Sequence, residues 1–378
     1  MLKNYFFLIA LACVSTLLAQ NFVVANVTVF DGETVLENQS VLVENGFVSA
    51  VQSNIENTVP TIDGSGKFLM PALTNAHVHA FMALNTLEAA KAGVLQLFDM
   101  HGMEQYQKMM QDNCKENSQS ADFYFAGNAA TAPEGHGTQF GFDMPTLTQP
   151  KEAQQFVKDR IATGASYIKI IVEPWRNTLD EPTITALIQE AHALEVPAVV
   201  HISKLKDANF VIENEADGLV HIWWDTAVTS EMLAAWKTKK AFIMPTILTS
   251  HLALENIRKS DPKRKFLSND AILEEVKKVY DAGIPLLAGT DPPNVGINYG
   301  TDLYKELALM TKAGIPNIEV LKTATSNPSR YFNINDTGFI KKGYKANMLL
   351  LNESPLNNIE NIATIHTIWK EGVKVKRD

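Results

Sequence analysis

Between Lys67 and about Asn335 the chain alternates short apolar runs with amphipathic segments eight times over, and no other feature limits its folds so strongly. A strand that returns to its sheet in parallel needs a crossover, and the intervening segments have the length and period of crossover helices. The apolar runs are Leu69 to Ala76, Val94 to Asp99, Phe123 to Ala126, Tyr167 to Val172, Ala198 to His201, Leu219 to His221, Phe242 to Pro245 and Leu286 to Gly289. Among the helical segments, Thr183 to Leu194 is bounded by Pro182 and Pro197, and Asn269 to Ala282 is stopped by Gly283. Eight such units predict an α/β fold, a (β/α)8 TIM barrel over residues 67–338.

The flanks differ in texture. FVVANVTVFDGETVLENQSVLVENGFVSAV alternates apolar and polar residues between turn signals at Asp31-Gly32 and Asn45-Gly46, and the tail from 339 returns to short strands around Lys342-Gly343 and Glu371-Gly372. Neither flank has enough strands to stand alone. Residues 21–66 and 339–378 are therefore expected to pair into one small β-sandwich built from both chain ends.

Composition narrows the partners. With 46% hydrophobic residues the chain supports a sizeable core, and its net charge of −9 repels nucleic-acid phosphate and anionic lipid. Two cysteines, Cys13 and Cys114, give no thiolate zinc site, and Cys114 reads as an inert thiol. Residues 1–20, MLKNYFFLIALACVSTLLAQ, place Lys3 before an apolar core and Ala19 at a cleavage-type position, the pattern of a secretory signal peptide. Export to the periplasm or beyond is the expectation, with a lipoprotein signal ending at Cys13 as the variant form and no membrane span after signal removal. A homo-oligomer is left open.

His77 and His79, at the end of the first barrel run, are two residues apart and so share a strand face. Lys169, His201, His221 and Asp291 fall at the ends of the fourth, fifth, sixth and eighth runs. Taken singly, each is a satisfied core residue or a turn cap. Together they sit at the end of a barrel where functional groups converge, and they form a nitrogen and oxygen donor set for divalent metal.

On these residues the chain resembles the amidohydrolase superfamily, metal-dependent hydrolases of the urease and dihydroorotase type. KAGVLQLFDM, LYKELALMTKAGIPNIEVLKTATSNPSRYF and TGFIKKGYKANMLLL resemble its imidazolonepropionase-like and prolidase-like branch. The resemblance implies two divalent ions, zinc by donor type. His77, His79 and Asp291 hold the first, His201 and His221 the second, and a Lys169 carbamate formed from CO2 bridges them. Asp291 is then also the catalytic base for a metal-activated hydroxide that cleaves a C–N bond in a small-molecule amide, cyclic amide or dipeptide. TAPEGHGTQFGFDM resembles the family's glycine-rich loop and puts His136 over the substrate. Glu173, Arg176 and Tyr299 follow strands as unresolved candidates, and Trp223 and Trp224 are core or pocket wall.

Three positions depart from the family pattern. Ala72 and Asn75 stand where glycine and aspartate are common in the first strand, and Asn347 replaces an aspartate of the tail. Lactone or phosphoester hydrolysis on the same site is the alternative activity, and a metal-free barrel with a binding role is the alternative class. Such a barrel loses ligands; this chain keeps all six.

Overall fold

A computed structural model describes residues 20–56 and 58–377. The signal peptide expected at residues 1–20 lies, save for Gln20, outside the described residues. None of the described helices is long and apolar enough to cross a membrane.

The first strands are β1 (Phe22–Phe30), β2 (Val35–Glu44), β3 (Phe47–Gln52), β4 (Thr61–Asp63) and β5 (Phe68–Pro71). β1 and β2 turn on Asp31, whose carboxylate accepts the Glu33 and Thr34 amides at 2.8 Å. Asn45 and Gly46 both take positive φ, 52° and 86°, which lets a two-residue turn follow the twist of β2 and β3. Parallel strands follow: β6 (Leu73–Val78), β7 (Val94–Asp99), β8 (Asp122–Phe125), β9 (Ile168–Ile171), β10 (Ala198–His201), β11 (Gly218–Val220) and β12 (Phe242–Met244). The tail adds β13 (Met348–Leu351), β14 (Ile365–Lys370) and β15 (Val373–Lys374).

Both chain ends enter one eight-stranded sheet, ordered β15-β14-β13-β5-β1-β2-β3 with β4 beside β1. The sheet bends back on itself where the Val48 amide meets the Tyr344 carbonyl and the Gly343 amide meets the Val48 carbonyl, each at 2.8 Å. Phe22, Val24, Val41, Val43, Leu69, Met348 and Trp369 share the enclosed core.

One expectation needs correction here. Leu69 to Ala76 reads as a single apolar run because both of its halves are buried, yet Phe68–Pro71 pairs with β1 and β13 while Leu73–Val78 pairs with β7. The passage into the parallel strands therefore falls at Ala72 rather than at 67, where the Ala72 amide still donates to the Asn347 carbonyl at 2.9 Å.

The parallel strands form two sheets, β6-β7-β8 and β9-β10-β11-β12. Between β8 and β9, the Ala130 amide reaches the Lys169 carbonyl and the Ile171 amide reaches the Ala130 carbonyl. On the far side, residues 285–288 exchange backbone hydrogen bonds with Ile243, and the Ala288 carbonyl accepts from Ala76. The expected eighth strand, Leu286 to Gly289, is thus extended backbone with a single bridge to β12 and no regular ladder. Its Ala288 amide goes instead to the Thr323 carbonyl. The predicted helices appear as Glu181–Ala193, capped by the Asp180 side chain, and Asn269–Asp281, capped by Ser268.

Ala76, Phe98, Tyr167, Val199, Val220, Phe242, Met244, Leu287 and Phe332, most of them from the parallel strands, pack together in one buried cluster. Along β9 the strand period of two carries this layer upward from Tyr167 to Lys169. The strands thus end above an apolar floor.

Candidate metal centre

His77, His79, Lys169, His201, His221 and Asp291 all line one cavity of about 310 Å³, together with His136. Asp291 is its hub: Oδ1 lies 3.2 Å from His77 Nε2, 3.1 Å from His79 Nε2, and accepts a hydrogen bond from Asn294 Nδ2 at 2.9 Å. The His77 and His221 rings are 5.0 Å apart and the His221 and His201 rings 4.6 Å. Ligand atoms of His77, His221 and Asp291 lie within 4.8 Å of one another, close enough for one ion.

The backbone explains how strands so far apart in sequence meet. The Asp291 amide donates to the His77 carbonyl and the His79 amide to the Pro292 carbonyl, each at 2.8 Å, so the segment after the irregular eighth strand is zipped to the end of β6. Tyr299 reinforces this by donating its hydroxyl to the His79 carbonyl at 2.6 Å. His221, Thr246 and Asp291 all adopt left-handed backbone, with φ of 71°, 44° and 58°. Non-glycine residues reach that region at a cost, and three of them at adjoining strand ends mark where the fold bends side chains toward a common point.

Thr246 Oγ1 pairs with His221 Nδ1 at 2.6 Å, which leaves Nε2 for the cavity. Its hydroxyl is then unavailable to cap the helix Ile247–Ser260 that it precedes. Glu306, fully buried on a neighbouring helix, takes over that task by accepting the Ile247 and Leu248 amides at 2.8 Å. On the opposite wall, His201 Nε2 lies 3.2 Å from Glu173 Oε2, while Glu173 Oε1 accepts from Ser203 Oγ at 2.9 Å.

Burial pushes the Lys169 ammonium down to about 7 against the pull of Asp291 and Asp99. Burial also lowers His77, to about 3, and takes His221 well below the usual imidazole range. Burial opposes ionisation of Asp291 too, but the His77 and His79 imidazoles beside it hold its carboxyl well below the usual carboxylate range. Both His77 ring nitrogens are buried without a hydrogen-bond partner, Nε2 facing Asp291 outside hydrogen-bond geometry. Buried polar atoms are rarely left so. Imidazoles, those of His77 and His221 kept neutral by burial, with a carboxylate and a buried amine, form a donor set that fits a divalent transition ion.

With that geometry in view, relatives can be compared. The sequence profile of the amidohydrolase family matches residues 68–375, most of the chain. The chain belongs to the amidohydrolase family. A 5'-deoxyadenosine deaminase of Methanosarcina acetivorans is 24% identical over 362 residues, covering 84% of this chain and 80% of its own. A 5-methylthioadenosine/S-adenosylhomocysteine deaminase of Carboxydothermus hydrogenoformans is 25% identical, with 92% and 88% covered. Among solved structures, a Xaa-Pro dipeptidase with bound methionine superposes with a TM-score of 0.81 at 18% identity, over 94% of this chain and 100% of that one. These likenesses fit an α/β amidohydrolase fold and a family whose members hydrolyse C–N bonds.

Several site features of this amidohydrolase were not singled out from the sequence. His101, buried beside His79, accepts His79 Nδ1 on its carbonyl at 3.2 Å, and its own Nδ1 accepts the Ala129 amide at 3.0 Å. Thr246 and Glu306 were likewise unread, since each acts across a long sequence separation with no motif of its own, and Asn294, only three residues from Asp291, belongs to no motif either. His136 lies with its ring 5.0 Å from that of His201. Trp224 lines the cavity, whereas Trp223 is core and donates Nε1 to Glu275 at 2.9 Å. Asn75 is explained by its donor: Nδ2 bonds Thr290 Oγ1 at 2.7 Å and Oδ1 accepts the Thr290 amide at 3.1 Å, tying β6 to the segment that presents Asp291. Asn347 Oδ1 accepts the Glu371 amide at 2.7 Å.

Proposed function

We propose that this amidohydrolase hydrolyses an amide, cyclic amide or dipeptide C–N bond of a small molecule, using two divalent ions, zinc by donor type. The observation that carries the reading is the convergence of six nitrogen and oxygen donors on one cavity, with the two His77 nitrogens lacking any other partner. His77, His79 and Asp291 form one set and His201 and His221 the other, with Lys169, carboxylated by CO2, between them. A neutral buried amine is what carbamate formation needs, and burial supplies it at Lys169. Bound divalent ions supply Lewis-acid activation of water and of the scissile group.

The remaining work falls to the chain. Asp291 Oδ1 faces the His77 and His79 imidazoles and accepts a hydrogen bond from Asn294. That leaves Oδ2 to take the proton of the attacking water and return it to the leaving nitrogen as the C–N bond breaks. His136, beside His201, contacts the substrate from above. The apolar walls from Ile171, Ile202 and Phe140 exclude water and favour an uncharged body next to the scissile bond.

The architecture around this site is read as a closed (β/α)8 barrel, the seams at Ala130 and Leu287 joining its two parallel sheets, over residues 72–338. The curled terminal sheet is read as a β-sandwich. Export follows from residues 1–20, so N-terminal sequencing of mature protein is expected to begin near Gln20 or Asn21; recovery of intact Met1 from soluble cytosol refutes it. Deamination of a nucleoside is the second reading, favoured by the names of the curated relatives. Elemental analysis of purified protein is expected to give close to two divalent ions per chain. A panel of dipeptides, N-acyl amino acids, cyclic ureides, 5'-deoxyadenosine and methylthioadenosine, with a lactone and a phosphoester as controls, then separates the readings. No metal, and no turnover after adding zinc or manganese, overturns the proposal.

A further inference from the structure

The catalytic cavity does not end at its apolar walls. Two smaller cavities, of about 250 and 180 Å³, adjoin it: one shares Ser203 and Trp224 with it, the other His136, Glu173 and Trp224. Arg264 lines both of them, with Lys204 and Lys265 in the first and Arg176 in the second. In a chain of net charge −9 this is a local excess of cations at the mouth of the site. The acidic residues there are already engaged. Asp225 accepts the Leu205 amide at 2.9 Å, and Glu173 holds His201 and Ser203. Neither Arg176 nor Arg264 is in an ion pair among the described residues.

Arg264 is also positioned. Its guanidinium lies over the Trp175 ring, and Trp175 stacks on Phe266 with centroids 5.5 Å apart and planes 13° from parallel. Trp175 Nε1 donates to Ser203 Oγ at 3.0 Å, and the Leu267 amide donates to the Trp224 carbonyl at 2.8 Å, so both sides of the platform are fastened to the wall of the catalytic cavity. Stacking occupies the face of a guanidinium and leaves its in-plane N–H edge free, and that edge matches the two oxygens of a carboxylate. The aromatic rings beside it offer surface to an apolar body.

Resting on the reading of this cavity as a hydrolase site, we propose that Trp175, Trp224, Arg264 and Phe266 form a specificity subsite for a carboxylate carried on an apolar or aromatic portion of the substrate, away from the bond that breaks. Arg176 adds long-range attraction. The subsite assigns the substrate a free acid end rather than an amidated one, and places that end on the Ser203 side of the cavity.

The test measures binding by calorimetry on zinc-loaded, full-length mature protein, without turnover. The probes, none of which has a C–N bond, are 3-phenylpropanoate, its neutral methyl ketone analogue 4-phenyl-2-butanone and phenyl phosphate. The free acid is expected to bind more tightly than the ketone, and Arg264→Met to lower that acid-to-ketone ratio roughly 10- to 100-fold, the range expected of a charge-assisted hydrogen-bond pair. Arg264→Lys, which keeps the charge and loses the fork, is expected to recover part of the ratio. Any carboxylate affinity for the zinc is common to all three proteins and cancels. Because Arg264 is exposed on a loop, the variants are not expected to disturb folding. An unchanged ratio in Arg264→Met overturns the subsite, and phenyl phosphate binding through Arg264 while the carboxylate does not overturns the carboxylate assignment. A protein that hydrolyses no C–N bond yet shows the Arg264-dependent ratio keeps the subsite and loses the proposed function. Turnover with an Arg264-independent ratio does the reverse.

Discussion

Glu306 lets stability be tied to a single buried proton. Its carboxylate, with no exposed surface, caps a helix whose own N-cap residue has spent its hydroxyl on His221. Burial raises it from 4.5 to about 7, even though the Leu248 and Ile247 amides favour the charged form. Between those two values the folded protein holds a proton that the unfolded chain has released. The unfolded state then binds fewer protons, and stability falls as pH rises. The contribution is fully present below pH 4.5 and lost once pH passes about 7, and at about 1.4 kcal/mol per pH unit the loss is about 3 kcal/mol. Glu306→Gln keeps the shape and one of the two acceptor oxygens, and cannot ionise. The lost acceptor adds a cost that does not vary with pH, and on top of it the variant is expected to gain on wild type by about 2.5 kcal/mol between pH 5 and pH 8, measured by urea denaturation at matched metal content. Taking the difference between the two proteins cancels the titration of every other group. A stability difference that does not vary between pH 5 and 8 refutes the reasoning, because Glu306 would then be ionised throughout.

Three further outcomes test the centre itself. Lys169→Ala is expected to lose most activity and one of two metals, with short carboxylic acids restoring part of both; full metal content and rate in the variant would show that no bridge is needed. Asp291→Asn on metal-replete protein is expected to lower kcat by roughly 10² to 10⁴ with KM much less affected, and a near-normal kcat would move the proton transfer to His136. Thr246→Val removes the hydroxyl on His221 Nδ1 and is expected to weaken metal binding about 10- to 100-fold in chelator competition; unchanged affinity would mean that the hydrogen bond does not orient the ring.

What was readable in the residues and what was not follow from the range of the forces involved. Period and punctuation are local, so the parallel strands, the Asp180- and Ser268-capped helices and the turn at Asn45-Gly46 could be read from the chain alone. The family could be read as well, because the His77-x-His79 pair, His201, His221 and Asp291 sit at or just past the ends of apolar runs; Lys169, expected at the end of its run, lies inside β9 instead. The break at Ala72 could not, since Phe68–Pro71 and Leu73–Val78 are equally buried and only their hydrogen-bond partners differ. Nor could the irregular eighth strand, whose Ala288 amide is diverted to Thr323. The sequence by itself determined which side chains are available to hold metal and that all but Lys169 fall near the ends of strands. Tertiary structure decided how they are held: Asp291 zipped to His77 and His79, His221 turned by left-handed backbone onto Thr246, and Glu306 brought from a distant helix to close the cap that Thr246 leaves open. Those contacts join residues tens to hundreds of positions apart, and no local pattern encodes them, because their energy exists only once the chain has folded around them.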